Sequence, residues 1–153
     1  MTANWFECRI KYMKQTDDGK EKKVSEQYLV DAVSYTEAES RIVAELSTAL
    51  QGEYTITGLK RSNISELVIS EDGNDDKWFK AKVSILDADQ LTGKEKRVNN
   101  YFLVTGSSLE RALENLQHNL STYIVPCEIV SLADTSFMDV FPYKVTLQEQ
   151  EEI

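Results

Sequence analysis

Histidine is nearly missing from this chain, cysteine and proline are scarce, and no long apolar run occurs. One histidine, two cysteines and two prolines stand among 153 residues. Two cysteines cannot build the disulfide framework of a small secreted domain, so reduced thiols are expected. His118 has no partner at a catalytic spacing, and His118, Cys8 and Cys127 have no recognised metal-ligand spacing. No apolar stretch approaches membrane-spanning length. The opening Met1-Thr2-Ala3-Asn4-Trp5-Phe6-Glu7 lacks the basic region and apolar core of a signal peptide. These absences lead us to expect a cytoplasmic protein with no membrane association, metal, cofactor or catalytic residues, and they lean away from an enzyme.

What is present fits a globular protein: 41% hydrophobic and 28% charged residues. The net charge of −9 is concentrated. Glu71, Asp72, Asp75 and Asp76 fall in one short segment, and Glu149, Glu151 and Glu152 in the tail. The rest is nearly balanced. The chain is therefore not coated for phosphate binding, although a local basic patch remains open. Glu71-Asp72-Gly73-Asn74-Asp75-Asp76 lacks the alternating ligands and terminal glutamate of a calcium loop, so a solvated acidic turn is expected.

The strongest signal is an internal repeat. Trp5-Phe6 recurs as Trp78-Phe79, 73 residues on. Gly19-Lys20-Glu21-Lys22-Lys23-Val24 recurs as Gly93-Lys94-Glu95-Lys96-Arg97-Val98, and Tyr28-Leu29-Val30 as Phe102-Leu103-Val104, both 74 residues on. Ala38, Ile42 and Leu46 match Ala112, Leu116 and Leu120. One residue gained in the hairpin and one lost after the helix explain the shifts. Within each copy, Phe6, Cys8, Ile10 and Tyr12, and Phe79, Ala81, Val83 and Ile85, alternate with polar neighbours, the period of a half-buried strand. A Gly-containing turn leads to a second strand at Val24–Val30 or Val98–Val104. Thr36 and Ser108 stand where helix N-caps would, ahead of the apolar helical stripes. Gly52 is placed to end the first helix. A third strand follows near Tyr54–Arg61 and Cys127–Ala133, with a further short strand at Glu66–Ile69 and Asp139–Phe141.

The expected architecture is α+β, a tandem duplication of a ββαβ unit. Its antiparallel sheet or sheets carry both helices on one face. The boundaries expected are 1–69, an acidic linker at 70–77, 78–145, and an acidic tail at 146–153.

Two features could carry binding. Trp5 and Trp78 fall on the strand face opposite the apolar stripe, with Leu29, Tyr101 and Leu103 pointing the same way. Either the chain covers them itself, through the other copy or through Phe141-Pro142-Tyr143, or they form an interface with a protein partner or a homodimer. The hairpin turns place Lys20, Lys22 and Lys23, and Lys94, Lys96 and Arg97, at two tips that could hold nucleic-acid phosphates. Lys80 and Lys82 beside Trp78 add a basic–aromatic pattern suited to single strands. The alternative is that these are solvated hairpins whose lysines blunt an edge.

Trp5-Phe6-Glu7-Cys8-Arg9-Ile10, Tyr28-Leu29-Val30-Asp31-Ala32-Val33-Ser34-Tyr35-Thr36-Glu37-Ala38-Glu39 and Met138-Asp139-Val140-Phe141-Pro142-Tyr143 resemble a family of unknown function common in the Bacteroidetes. The resemblance covers nearly the whole chain. It implies a bacterial cytoplasmic origin and supplies no activity or site residues. The leading expectation is a non-enzymatic binding or adaptor protein acting through protein–protein contacts, with a nucleic-acid-binding module using the two basic tips as the alternative.

Overall fold

A computed structural model describes residues 4–50 and 52–142. In chain order the elements are β1 (Trp5–Gln15), β2 (Glu21–Asp31), α1 (Tyr35–Ala49), β3 (Tyr54–Arg61), β4 (Ile64–Val68), β5 (Lys77–Ala88), β6 (Glu95–Gly106), α2 (Leu109–Leu120), β7 (Cys127–Asp134) and β8 (Phe137–Phe141). The fold is α+β, and the ββαβ order occurs twice. The strands form two four-stranded sheets, β3-β1-β2-β8 and β4-β6-β5-β7. No described helix is long and apolar enough to cross a membrane.

In the first sheet, β1 and β2 form an antiparallel hairpin running from Trp5 opposite Asp31 to Gln15 opposite Glu21. Period-two alternation puts Phe6, Cys8 and Ile10 on one face. Helix α1 lays Ala38, Ile42 and Leu46 onto that face, and these side chains form one buried cluster with Tyr28, Val30 and Ala32. The second sheet repeats the scheme: Phe79, Ala81, Val83, Phe102 and Val104 are buried with Ala112 and Leu116 of α2. Each of the larger side chains contributes about 1.5–3 kcal/mol by leaving water. Each edge strand β3 or β7 pairs antiparallel with β1 or β5 through a bulge, between Arg9 and Ile10 or between Lys82 and Val83.

The fourth strands are exchanged between the sequence copies. Strand β4, from the first copy, pairs parallel with β6, and β8, from the second copy, pairs parallel with β2. The compact units are accordingly Met1–Ser62 with Phe137–Ile153, and Asn63–Ser136. Link length explains the exchange. Only Ser62 and Asn63 separate β3 from β4, and only Thr135 and Ser136 separate β7 from β8. Both β3 and the partner of β2 run parallel to β2. A strand returning to the far edge of its own sheet in that direction needs a crossover of about a dozen residues. Two residues cannot make it, so the chain leaves its sheet. Each sheet is thus dominated by antiparallel pairing, as expected from sequence, with one parallel strand at its edge.

Two local expectations change as well. The N-cap of α1 is Ser34, not Thr36: Ser34 is extended, and its hydroxyl accepts from the Glu37 N–H. Ser108 caps α2 in the same way through Arg111 N–H. The segment 70–77 is not a simple solvated turn, because Asp75 within it is buried. Its C-terminal counterpart, the expected tail 146–153, lies outside the described residues, as does Tyr143.

Candidate binding surface

Both hairpins outrun their sheets. Strand β3 follows β1 only as far as Tyr54 opposite Tyr12. Beyond it, Met13–Gln15 and Glu21–Lys23 form a two-stranded ribbon closed by a turn in which Gly19 takes φ 79°. Strand β7 follows β5 to Cys127 opposite Ile85, leaving Asp87 and Ala88 paired with Lys96 and Glu95 around a turn with Gly93 at φ 69°. Glycine takes such left-handed angles without steric cost. Acidic side chains shape both turns. The Thr16 hydroxyl donates to Asp18, and Asp89 accepts from the Leu91 N–H at 2.8 Å. These bonds hold both carboxyls below the ordinary range, through the Thr16 hydroxyl first for Asp18 and the Leu91 N–H first for Asp89.

The two ribbons differ in charge. Between Lys11 and Val24 stand five lysines against three acids; between the matching Ser84 and Val98 stand three basic residues and three acids. Register sharpens the contrast. Lys14 lies directly opposite Lys22 on β2, whereas at the matching positions Asp87 lies opposite Lys96. Lys11, Lys14, Lys20, Lys22 and Lys23 are all exposed, and among the described residues none of them forms an ion pair. Arg97, the match of Lys23, pairs with Glu128 at 3.7 Å and donates to the Ser84 hydroxyl at 3.4 Å.

The aromatic candidates are placed differently. Trp5 is only 5% exposed, and Leu29 and Leu103 are fully buried, although none belongs to a helix-packed core. Trp78 and Tyr101 are half-buried. Phe141 stacks on Tyr28 with ring centroids 5.7 Å apart, so it serves the α1 side of the sheet and not the face of Trp5. Lys80 is already engaged: its Nζ donates to Asn63 Oδ1 at 2.6 Å and lies 5.2 Å from the Tyr101 ring centre. Lys82 is half-buried opposite Tyr101. The structure thus groups Lys22 and Lys23 with Lys14 and Lys20, and separately places Lys96 and Arg97 on the other hairpin among acids. Sequence reading missed Lys14; the hairpin register, fixed by the five residues between Gln15 and Glu21, would have shown it.

Two polar clusters are built into the units. In the first, Glu26 accepts from Tyr12 Oη at 2.7 Å and from Tyr28 Oη at 2.8 Å. Tyr12 is raised above the ordinary phenol range mainly by that hydrogen bond, and Tyr28 mainly by burial. In the second, Asp75 accepts from the Ser107 N–H at 3.0 Å and from the Asn115 amide at 3.1 Å, and pairs with Arg111 at 3.3 Å. The Ser70 hydroxyl first, then Asn115, Ser107 and Arg111, hold its carboxyl below the usual range against the opposing effect of desolvation. Asn115 also donates to the Thr105 carbonyl. Its match in the first copy, Arg41, reaches the corresponding Asp31 carbonyl and also Pro142, at the end of the exchanged strand. The first cluster therefore ties β1 to β2, and the second ties the chain ahead of β5 to α2 and to the end of β6.

Cys8 is buried and its thiol is pushed up to about 11 by burial and, secondarily, by Glu39, the opposite of an activated thiolate. His118 is exposed in the last turn of α2, lining a 750 Å³ groove with Arg111, Glu114 and Asn119. Among the described residues no three His, Cys, Asp or Glu side chains are placed to hold a metal ion.

No curated protein matches the sequence. A family model described as a domain of unknown function, DUF4494, matches residues 4–143.

Proposed function

As the chain belongs to DUF4494, a family defined only as a domain of unknown function, we propose from its own geometry that it is a non-enzymatic binding protein that meets macromolecular partners through its hairpins. One observation carries the reading. Each hairpin extends past its third strand as an exposed two-stranded ribbon, while the helix-packed cores are closed. Ribbon ends that add nothing to a core are free to serve as contact surfaces.

A protein partner suits the second hairpin, where charges balance and Leu91 at the turn is 97% exposed. Trp5, 5% exposed, carries no part of this reading. A second reading, nucleic-acid binding, is favoured by the first hairpin, with Lys14 opposite Lys22. Affinity capture from a native lysate, with and without nuclease, tests the proposal. A stoichiometric partner lost on replacing Leu91 with Asp supports protein binding, and nucleic acid removed by nuclease supports the second reading. Capture of neither sinks the proposal.

A further inference from the structure

We propose that the first hairpin, and not the second, is an arm for a nucleic-acid duplex, lying as a two-stranded ribbon in a groove between its phosphate backbones. This rests on the second reading above and narrows it to one arm and one kind of nucleic acid.

The argument begins from a cost. Like charges directly opposite each other on paired strands destabilise a hairpin. Lys14 and Lys22 take that arrangement at the least supported end of β1 and β2, where no third strand helps. Nothing in the backbone requires it, because the other copy solves the same register with Asp87 opposite Lys96. Lys23 is likewise left without the ion pair that its match, Arg97, makes with Glu128. The arm's acids, Asp17, Asp18 and Glu21, offset three of its five lysines and leave a net charge of +2, with Asp18 also shaping the turn. One copy has balanced its arm internally, and the other keeps a net positive field that an external polyanion would relieve.

Geometry selects the partner. Strand alternation puts Lys14 and Lys22 on one face of the ribbon, and Lys23, with Lys11 at its base, on the other. Lys14 and Lys22 also line a 390 Å³ cleft beside the turn with Thr16 and Asp17. An acidic protein surface meets a ribbon from one side and leaves the other lysines unanswered. A duplex groove presents phosphates to both faces, and the major groove of DNA, about 12 Å wide, admits a two-stranded ribbon. The contacts are to phosphates, so binding is insensitive to sequence and strongly dependent on salt.

The test uses the full chain and a short fluorescent DNA duplex of mixed sequence, read by anisotropy across a salt series. Neutralisation of about four phosphates by Lys14, Lys20, Lys22 and Lys23 predicts a log–log salt slope of about −3 to −4, which is a loss of roughly a hundredfold in affinity between about 50 and about 200 mM salt. Lys14→Asp, which copies the arrangement of the second hairpin, should weaken binding by roughly tenfold or more at low salt and flatten the slope. Both effects should come with unchanged tryptophan fluorescence and no loss of stability. Asp87→Lys, its mirror, should add affinity through the second arm. Several results overturn the inference. If the wild type does not bind the duplex at low salt, the arm and the nucleic-acid reading fall together. If binding ignores Lys14→Asp and Lys22→Asp but is lost with Lys96→Asp and Arg97→Asp, nucleic-acid binding stands and the assignment to the first arm falls. If poly-glutamate competes as well as duplex, the partner is an acidic protein and the groove argument fails.

Discussion

The two units share topology, core positions and helix caps, yet they differ wherever polar chemistry is optional. The first has a carboxylate between two phenols, Tyr12, Glu26 and Tyr28, and a hairpin with facing lysines. The second has Ile85, Asn100 and Phe102 at the three matching positions, a buried Asp75 gathering Ser107, Asn115 and Arg111, and a hairpin with facing opposite charges. Duplication preserved what the apolar layers need and released the rest. Residues common to both copies therefore report on folding, while residues that break the correspondence mark where the copies took separate roles.

The largest expected effects test the shared part. Ile42→Ala and Leu116→Ala remove fully buried side chains from equivalent places and should each cost about 2–5 kcal/mol. Each unit has its own reporter, Trp5 or Trp78, so denaturant unfolding in single-tryptophan backgrounds reads them separately. If one substitution proved silent while the other was costly, the cores would not be equivalent. A smaller effect separates the copies where helix meets strand. A Cβ on Gly106 would lie 2.7 Å from the Ala112 backbone nitrogen, whereas the matching Ala32 holds a methyl in the same kind of place, 1% exposed. Gly106→Ala should cost about 1–3 kcal/mol by overpacking, and Ala32→Gly only about 0.5–1 kcal/mol through backbone entropy and the lost methyl. Equal costs would mean that α2 sits no closer to its sheet than α1 does.

Smaller still are the caps. Ser34→Ala and Ser108→Ala should each cost about 1 kcal/mol, because each removes the acceptor for one orphan helix N–H. Thr36→Ala should stay within about 0.5 kcal/mol, as an exposed substitution away from any special contact. The same thermal or denaturant curves check all three, and a costly Thr36 variant would return the cap to the residue read from sequence.

That misreading shows what the sequence held. Strand alternation and the helical stripes located both cores, because burial of one face imposes a period that survives in each copy. The position of Ser34 was also present, 74 residues before Ser108, and was obscured only because Thr36 is itself a good cap residue. The exchange of β4 and β8 was legible in principle from two-residue links that cannot cross over a sheet. The tie at Asp75 was not, since it joins residues 32 to 40 positions apart that no local pattern connects. The facing lysines were half legible: composition showed a basic hairpin, but only the register put Lys14 against Lys22. Strand alternation put Trp5 on the face opposite the helix and left open whether the chain itself covers it.

The smallest effect is a split in pH response between the units. Asp75 has a folded-state pKa below its ordinary value of about 3.9. Its contribution is fully present above that value and is lost as pH falls through the lower, folded one. The phenols act in the opposite sense. Tyr12 and Tyr28 are raised above the ordinary value of about 10, so their contribution is complete below it and is lost as pH rises through the folded values. Acid should therefore loosen the unit of Trp78 through Asp75, and alkali the unit of Trp5 through its phenols. Asp75→Asn should remove the acid-dependent part of the Trp78 transition and leave the Trp5 transition unmoved. Glu26→Ala should return Tyr12 toward ordinary titration, since the carboxylate is its main cause, while Tyr28 stays raised by burial. Phenolate absorbance followed through an alkaline titration distinguishes the two. If both tyrosines fell together in that variant, Glu26 and not the packing against Phe141 would govern Tyr28, and the first unit would depend on its polar cluster as closely as the second depends on Asp75.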